Sequence, residues 1–156
     1  MSPEVIPAQN VTDQTITDIL DNAAIEHSDH AGIYVSGTKF NFWISTESER
    51  NLLILWSYWD IAPDAEEIDI LRFCNAANRT KLMLQFSYSE EMGRFYGYFS
   101  QPYHAGFIAQ HLLKLIQMFP SIMADVVEEG VDQDLLKPLP QCSRMETAED
   151  QHPTKH

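Results

Sequence analysis

The chain has 156 residues, with 23 Asp and Glu against 10 Lys and Arg, a formal charge of −13 with neutral histidine. That length suits one domain with a core of its own, and 44% apolar residues argue against a disordered chain. Carboxylates in such excess repel phosphate backbones and anionic lipid surfaces, which excludes nucleic acid and membranes as general partners.

The opening residues, MSPEVIPAQNVTDQTI, have neither the basic n-region nor the apolar h-region of a secretory signal. No run approaches the ~18 apolar residues of a membrane span. Cys74 and Cys142 are far apart, one in a helical pattern and one in a Pro-flanked segment. Free thiols and a cytoplasmic location are the expectation.

Residues 1–10, with Pro3 and Pro7, read as a flexible leader. Ile16, Ile19, Leu20, Ala23 and Ala24 then follow helical spacing over 12–25, with Thr12 as N-cap. His27 to Gly32 reads as a polar turn. Ile33 to Val35 is a short strand, and Gly37-Thr38 suits a hairpin turn. In the next strand, Lys39 to Ser45, Phe40, Phe42 and Ile44 point one way and Asn41, Trp43 and Ser45 the other. Leu52 to Trp59 is apolar on both faces and so central in a sheet.

Pro63 and Asp64 open a second helix, with Asp64, Glu66 and Glu67 in its first turn. Ile68, Leu71, Cys74 and Asn75 are expected on one face of it. Lys81 to Ser87 is a fourth strand, with Leu82, Leu84 and Phe86 aligned. Arg94 to Ser100 is a fifth, with Phe95, Gly97 and Phe99 opposed to Tyr96 and Tyr98. Residues 104–128 are the longest helix, expected to kink or split at Pro120 and to end at Gly130. Residues 131–156, with Pro138, Pro140 and Pro153, read as a Pro-rich flexible tail, disordered or loosely docked. The domain is thus residues 11–130. Its order is αβββαββα, an α+β fold with a mainly antiparallel five-stranded sheet and helices packed on it.

This order resembles the YbjN family, which is similar in fold to type III secretion chaperones. The residues that carry the likeness are TDILDNAAIEH, the strand pair KFNFWIS and NLLILWSYWDI, and the helix PDAEEIDILRFCNAANR with its Asn75 and Asn78. LMLQFSY, RFYGYFS and GFIAQHLLKLIQMFPSI complete it. The resemblance implies a dimeric scaffold that holds an extended partner segment, or a regulator; it brings no catalytic residues.

No sharp chemical motif stands beside it. There is no glycine-rich phosphate loop, no C-x-x-C and no H-E-x-x-H. His27, Asp29 and His30 read as a solvated turn, since a zinc needs three or four convergent ligands. His104 and His111, about two helical turns apart, read as a cap-region residue and a packed one. Cys74 lies on an apolar helix face and reads as a buried thiol. No cofactor, metal or catalytic residue is expected, and the chain is read as not an enzyme.

The distinctive feature is aromatic. The chain has 8 Phe, 3 Trp and 6 Tyr. Alternation sends Phe40, Phe42, Ile44, Leu82, Leu84, Phe86, Phe95 and Phe99 toward the helices. A second set, Trp43, Met83, Gln85, Tyr96 and Tyr98, mixes aromatic bodies with polar tips and is the expected partner-binding surface. Trp56, Tyr58 and Trp59 stay unassigned between the faces. The expected function is a non-enzymatic protein-binding domain, chaperone-like or regulatory, working as a homodimer and holding a basic or apolar protein segment. The alternative is a small-molecule-binding or enzymatic domain with a pocket between sheet and C-terminal helix. An RNA-binding sheet is the weakest reading, because no basic stripe accompanies the aromatics.

Overall fold

Thr12 begins the regular structure as its type dictates: its hydroxyl oxygen accepts from the Thr15 N–H at 3.2 Å. Helix α1 (Asp13–Asn22) follows, with Ile16 and Leu20 fully buried one turn apart. The computed structural model describes residues 2–139; Cys142, Pro140, Pro153, His152 and His156 lie outside them. The strands are β1 (His27–Asp29), β2 (Ile33–Val35), β3 (Phe42–Glu47), β4 (Leu52–Asp60), β5 (Gln85–Ser89) and β6 (Arg94–Pro102). Helix α2 (Glu67–Thr80) lies between β4 and β5, and helix α3 (Ala109–Asp132) closes the order.

The fold is α+β, but the sheet has six strands rather than the expected five, in the order β1-β2-β3-β4-β6-β5. Every pairing is antiparallel. The added strand is β1, three polar residues that carry no apolar alternation. Main-chain pairing with β2 holds it, His27 opposite Val35 and Asp29 opposite Ile33. The His27 ring also reaches Asp21 of α1, Nε2 to Oδ1 at 2.7 Å.

One face of the sheet makes the core. Ile33, Val35, Phe42, Ile44, Leu53, Leu55, Phe86 and Phe95 are buried there, in a single cluster with residues of all three helices. The rings of Phe42 and Phe119 pack at 5.3 Å, and those of Phe73 and Phe95 at 5.4 Å. The centre of the interface between sheet and α3 is therefore filled; a cavity of about 600 Å³ beside α3 lies at the periphery, against Ser36–Lys39 and the end of α1.

Several expectations about elements are revised. In α2 the buried stripe is Ile70, Phe73, Cys74 and Ala77. Ile68 and Leu71 are exposed, because the i, i+3, i+4, i+7 set from Ile70 includes the largest ring, Phe73, and outcompetes theirs. Strand β5 starts at Gln85, which leaves Leu82 and Met83 exposed in the turn before it. Helix α3 does not split at Pro120 but continues as one element with that proline buried inside it. Finally, Gly130 lies inside α3 and is a packing residue, since a Cβ there would stand 2.5 Å from Leu136 Cδ1. The helix ends instead at Asp132, with Gln133 as C-cap and a left-handed Asp134 (φ 60°) just beyond, and the Leu135 N–H donates back to the Gly130 carbonyl at 2.9 Å.

The chain on both sides of the 11–130 segment touches the body. Ile6 and Phe107 exchange two main-chain hydrogen bonds, at 2.7 and 2.8 Å. That bridge occupies the stretch where α3 was expected to start, and the helix begins at Ala109. At the other end Leu135 and Leu136 are buried, and Leu136 bridges Ile61. No helix among the described residues is long and apolar enough to cross a membrane.

Candidate functional site

The face of the sheet away from the helices is built by register. Tyr34 lies opposite Trp43, Trp43 opposite Trp56, Trp56 opposite Tyr98, Tyr58 opposite Tyr96, and Gln85 opposite Tyr98. Because side chains alternate along a strand, these residues all project to the same side. Trp43 and Trp56 stack at 4.7 Å with planes 15° apart, and Trp43 and Tyr58 at 5.6 Å and 12°. Tyr34 extends the row at 4.8 Å from Trp43, and Tyr96 at 5.9 Å from Tyr58. Cross-strand aromatic pairs of this kind contribute about 0.5–1.5 kcal/mol each beyond area burial.

Polar tips fix the orientation of the rings. The Trp43 indole N–H donates to the His30 carbonyl at 2.9 Å, and that of Trp56 to the Ser45 hydroxyl at 3.1 Å. The Arg94 guanidinium carbon lies 4.0 Å from the Tyr58 ring centroid, a cation–π contact.

Of the expected surface residues, Trp43, Tyr96, Tyr98 and Gln85 come together here, the three aromatics partly exposed and Gln85 exposed. Met83 stands apart in the turn before β5, 46% exposed. Tyr34, Trp56 and Tyr58 join the face, whereas Trp59 points to the core side. The missing signal was in β4: its alternation is hidden by apolar residues on both faces, and Ser57 is the break in it. Ser57 is buried, and its hydroxyl donates to the Asn41 carbonyl at 2.7 Å. A small residue under the helices puts its large neighbours, Trp56 and Tyr58, on the other side.

None of Tyr34, Trp43, Trp56, Tyr58, Tyr96 or Tyr98 belongs to the core cluster or packs against it. The face is also nearly free of unpaired acid. Its strand carboxylates are Glu47, hydrogen-bonded to Arg50, and Asp60, which lies 3.8 Å from Arg94 and 3.6 Å from Lys137. The acidity lies elsewhere, on helices and turns: Asp13, Asp18 and Asp21 on α1, and Asp125, Glu128, Glu129 and Asp132 on α3.

The other candidates are placed apart. His27 is turned to Asp21, and the His30 ring packs edge-on to Tyr34 at 5.9 Å. His104 and His111 are both exposed, so His111 is not the packed residue expected. No three His, Cys, Asp or Glu converge as a metal site among the described residues. Cys74 is buried, and that burial pushes its thiol up to about 11.

An antiparallel sheet with all its helices on one face, in the order helix, meander, helix, hairpin, helix, defines an α+β fold like that of YbjN. In particular, the crystal structure of YbjN from E. coli, a proposed transcription regulator, matches with a TM-score of 0.70 and 14% identity, over 80% of this chain and 95% of that one. The HopA1–SchA chaperone–effector complex is a weaker match, with a TM-score of 0.48 and 14% identity over 68% of this chain and 85% of that one. Neither a family model nor a curated protein sequence matches the chain. At such identity the likeness is one of fold.

Proposed function

We propose that this chain is a non-enzymatic protein-binding domain, chaperone-like or regulatory, whose contact surface is the aromatic sheet face and which works as a homodimer. The observation that carries the reading is a row of five partly exposed aromatics in ring contact, with Tyr98 opposite Trp56 as a sixth on the same face, all outside the core. Monomeric proteins seldom leave contiguous apolar patches of this kind open, and tyrosine and tryptophan are enriched where proteins meet. Charge supports the same face. Two copies of a chain with net charge −13 repel through their helical sides, but the sheet face holds its carboxylates paired. The fold shared with YbjN is consistent with a regulatory role exercised through protein contacts. Of the basic or apolar segments first expected as partners, the face itself favours apolar ones.

Site-specific photo-crosslinking tests the surface without altering the aromatics. With benzoylphenylalanine in place of Ser87, which lies opposite Tyr96, the purified chain is expected to crosslink to a second copy. The same group in place of Asp125, exposed on α3, is expected to give none. Equal crosslinking from both positions, or none from Ser87, would contradict the reading.

A further inference from the structure

A cleft opens at one end of the aromatic face. Strand β3 begins at Phe42 while β4 runs on to Asp60, so the last residues of β4 lose their neighbour on that side. The chain's C-terminal segment takes the vacated place further along. The Ala62 N–H donates to the Leu135 carbonyl at 2.9 Å and the Lys137 N–H to the Asp60 carbonyl at 3.0 Å. Between β3 and this segment remains a cavity of about 550 Å³, in the ~300–1,000 Å³ range of ligand pockets. Phe40, Trp43, Tyr58 and Trp59 give it apolar walls. Its far wall, Lys137–Leu139, is held by the Trp59 indole N–H, which donates to the Lys137 carbonyl at 2.7 Å.

The rim is positive in a chain that is otherwise strongly negative. Lys39 and Lys137 line it, and Arg94 lies against Tyr58 beside it. Asp60, the carboxylate among the lining residues, is already shared between Arg94 and Lys137. Lys39 has no ion-pair partner among the described residues. A basic segment would meet two surplus positive charges here, and a purely apolar one would leave Lys39 unanswered.

We propose that this cavity binds an acidic, apolar peptide segment. A large apolar side chain enters between Trp43, Tyr58 and Trp59 while a flanking carboxylate pairs with Lys39 and Lys137. The proposal rests on the reading of the sheet face as a protein contact and names the chemistry of the segment: the molecule as a whole is acidic, and its binding end selects acid.

The test uses the full chain and three blocked peptides, Ac-Asp-Phe-Glu-amide, Ac-Lys-Phe-Lys-amide and Ac-Asp-Gly-Glu-amide. Tryptophan emission is the readout, since Trp43 and Trp59 line the cavity. Saturable binding is expected for the first peptide, roughly tenfold weaker for either other peptide, and roughly tenfold weaker in Lys39→Glu. Lys39 is exposed, so an unchanged far-UV spectrum should accompany that loss. Equal affinity for the basic peptide, no saturation, or an unaltered Lys39→Glu would overturn the proposal. So would binding that appears only when Glu146→Gln, Glu149→Gln and Asp150→Asn are combined, because the chain's own acidic end would then be the occupant. Emission that shifts with protein concentration and competes with the peptide would assign the cavity to a second copy and overturn it too. Tyr96 lies outside the cavity lining. Tyr96→Ala that leaves self-association intact would therefore count against the face, and an unaltered Lys39→Glu against the cavity, so the two failures are distinguishable.

Discussion

Gly97 lies opposite Ser57 on β6, at the point where α3 crosses the sheet. A Cβ there would collide with the Met123 sulfur and stand 3.2 Å from Phe86 Cε1. Gly97→Ala should therefore lower stability by about 1–3 kcal/mol through overpacking, read as a lower urea midpoint with an unchanged slope. Cys74 gives a second residue-scale expectation. Burial raises its thiol from 9.0 to about 11, so the folded state holds the proton more tightly than the unfolded one. The stability linked to it is complete below about pH 9 and is lost as pH rises through about 11. In a thiol titration at pH 8 Cys74 should stay unmodified until denaturant is added; rapid native-state reaction would contradict its burial. Its burial was legible from an apolar helix face, although the neighbours assigned to that face were wrong. Trp56 and Tyr58 were not legible in the same way, because parity along β4 shows only at Ser57.

Among the elements, edge strand β5 depends on one side chain. Asn78 of α2 donates from Nδ2 to the Phe86 carbonyl at 3.0 Å and accepts the Phe86 N–H on Oδ1 at 2.7 Å. It thus occupies main-chain groups of an edge strand that an added strand could otherwise pair with. Asn78→Ala should cost about 1–3 kcal/mol. Hydrogen exchange should speed up at Phe86 and through β5 while β3 stays protected; uniform loosening would contradict this local role. Asn78 stood out in the sequence for its position, but the bond it makes depends on where β5 begins. Element order and type could be read from periodicity. Less legible were features decided by tertiary contact. The polar β1 exists because β2 pairs with it, Pro120 stays within α3 because the helix is packed on both sides of it, and Gly130 is set by Leu136.

At the scale of the molecule, the net charge hides a division between two sides. The helices and turns carry most of the acid, while the aromatic face holds two paired carboxylates on its strands and a positive cleft at one end. Counting charges along the sequence could show that the body is acidic, but not that the sheet face escapes this, since strand parity and ion pairing decide it together. The mass in solution, measured by size-exclusion chromatography with light scattering, decides whether the sheet face joins two copies of the chain. The expected mass is twice the 17.9 kDa of one chain, falling to a single chain in Trp43→Ala combined with Tyr96→Ala with the far-UV spectrum unchanged. A wild-type chain that stays at 17.9 kDa at every concentration, or a double variant that keeps the doubled mass, would contradict it.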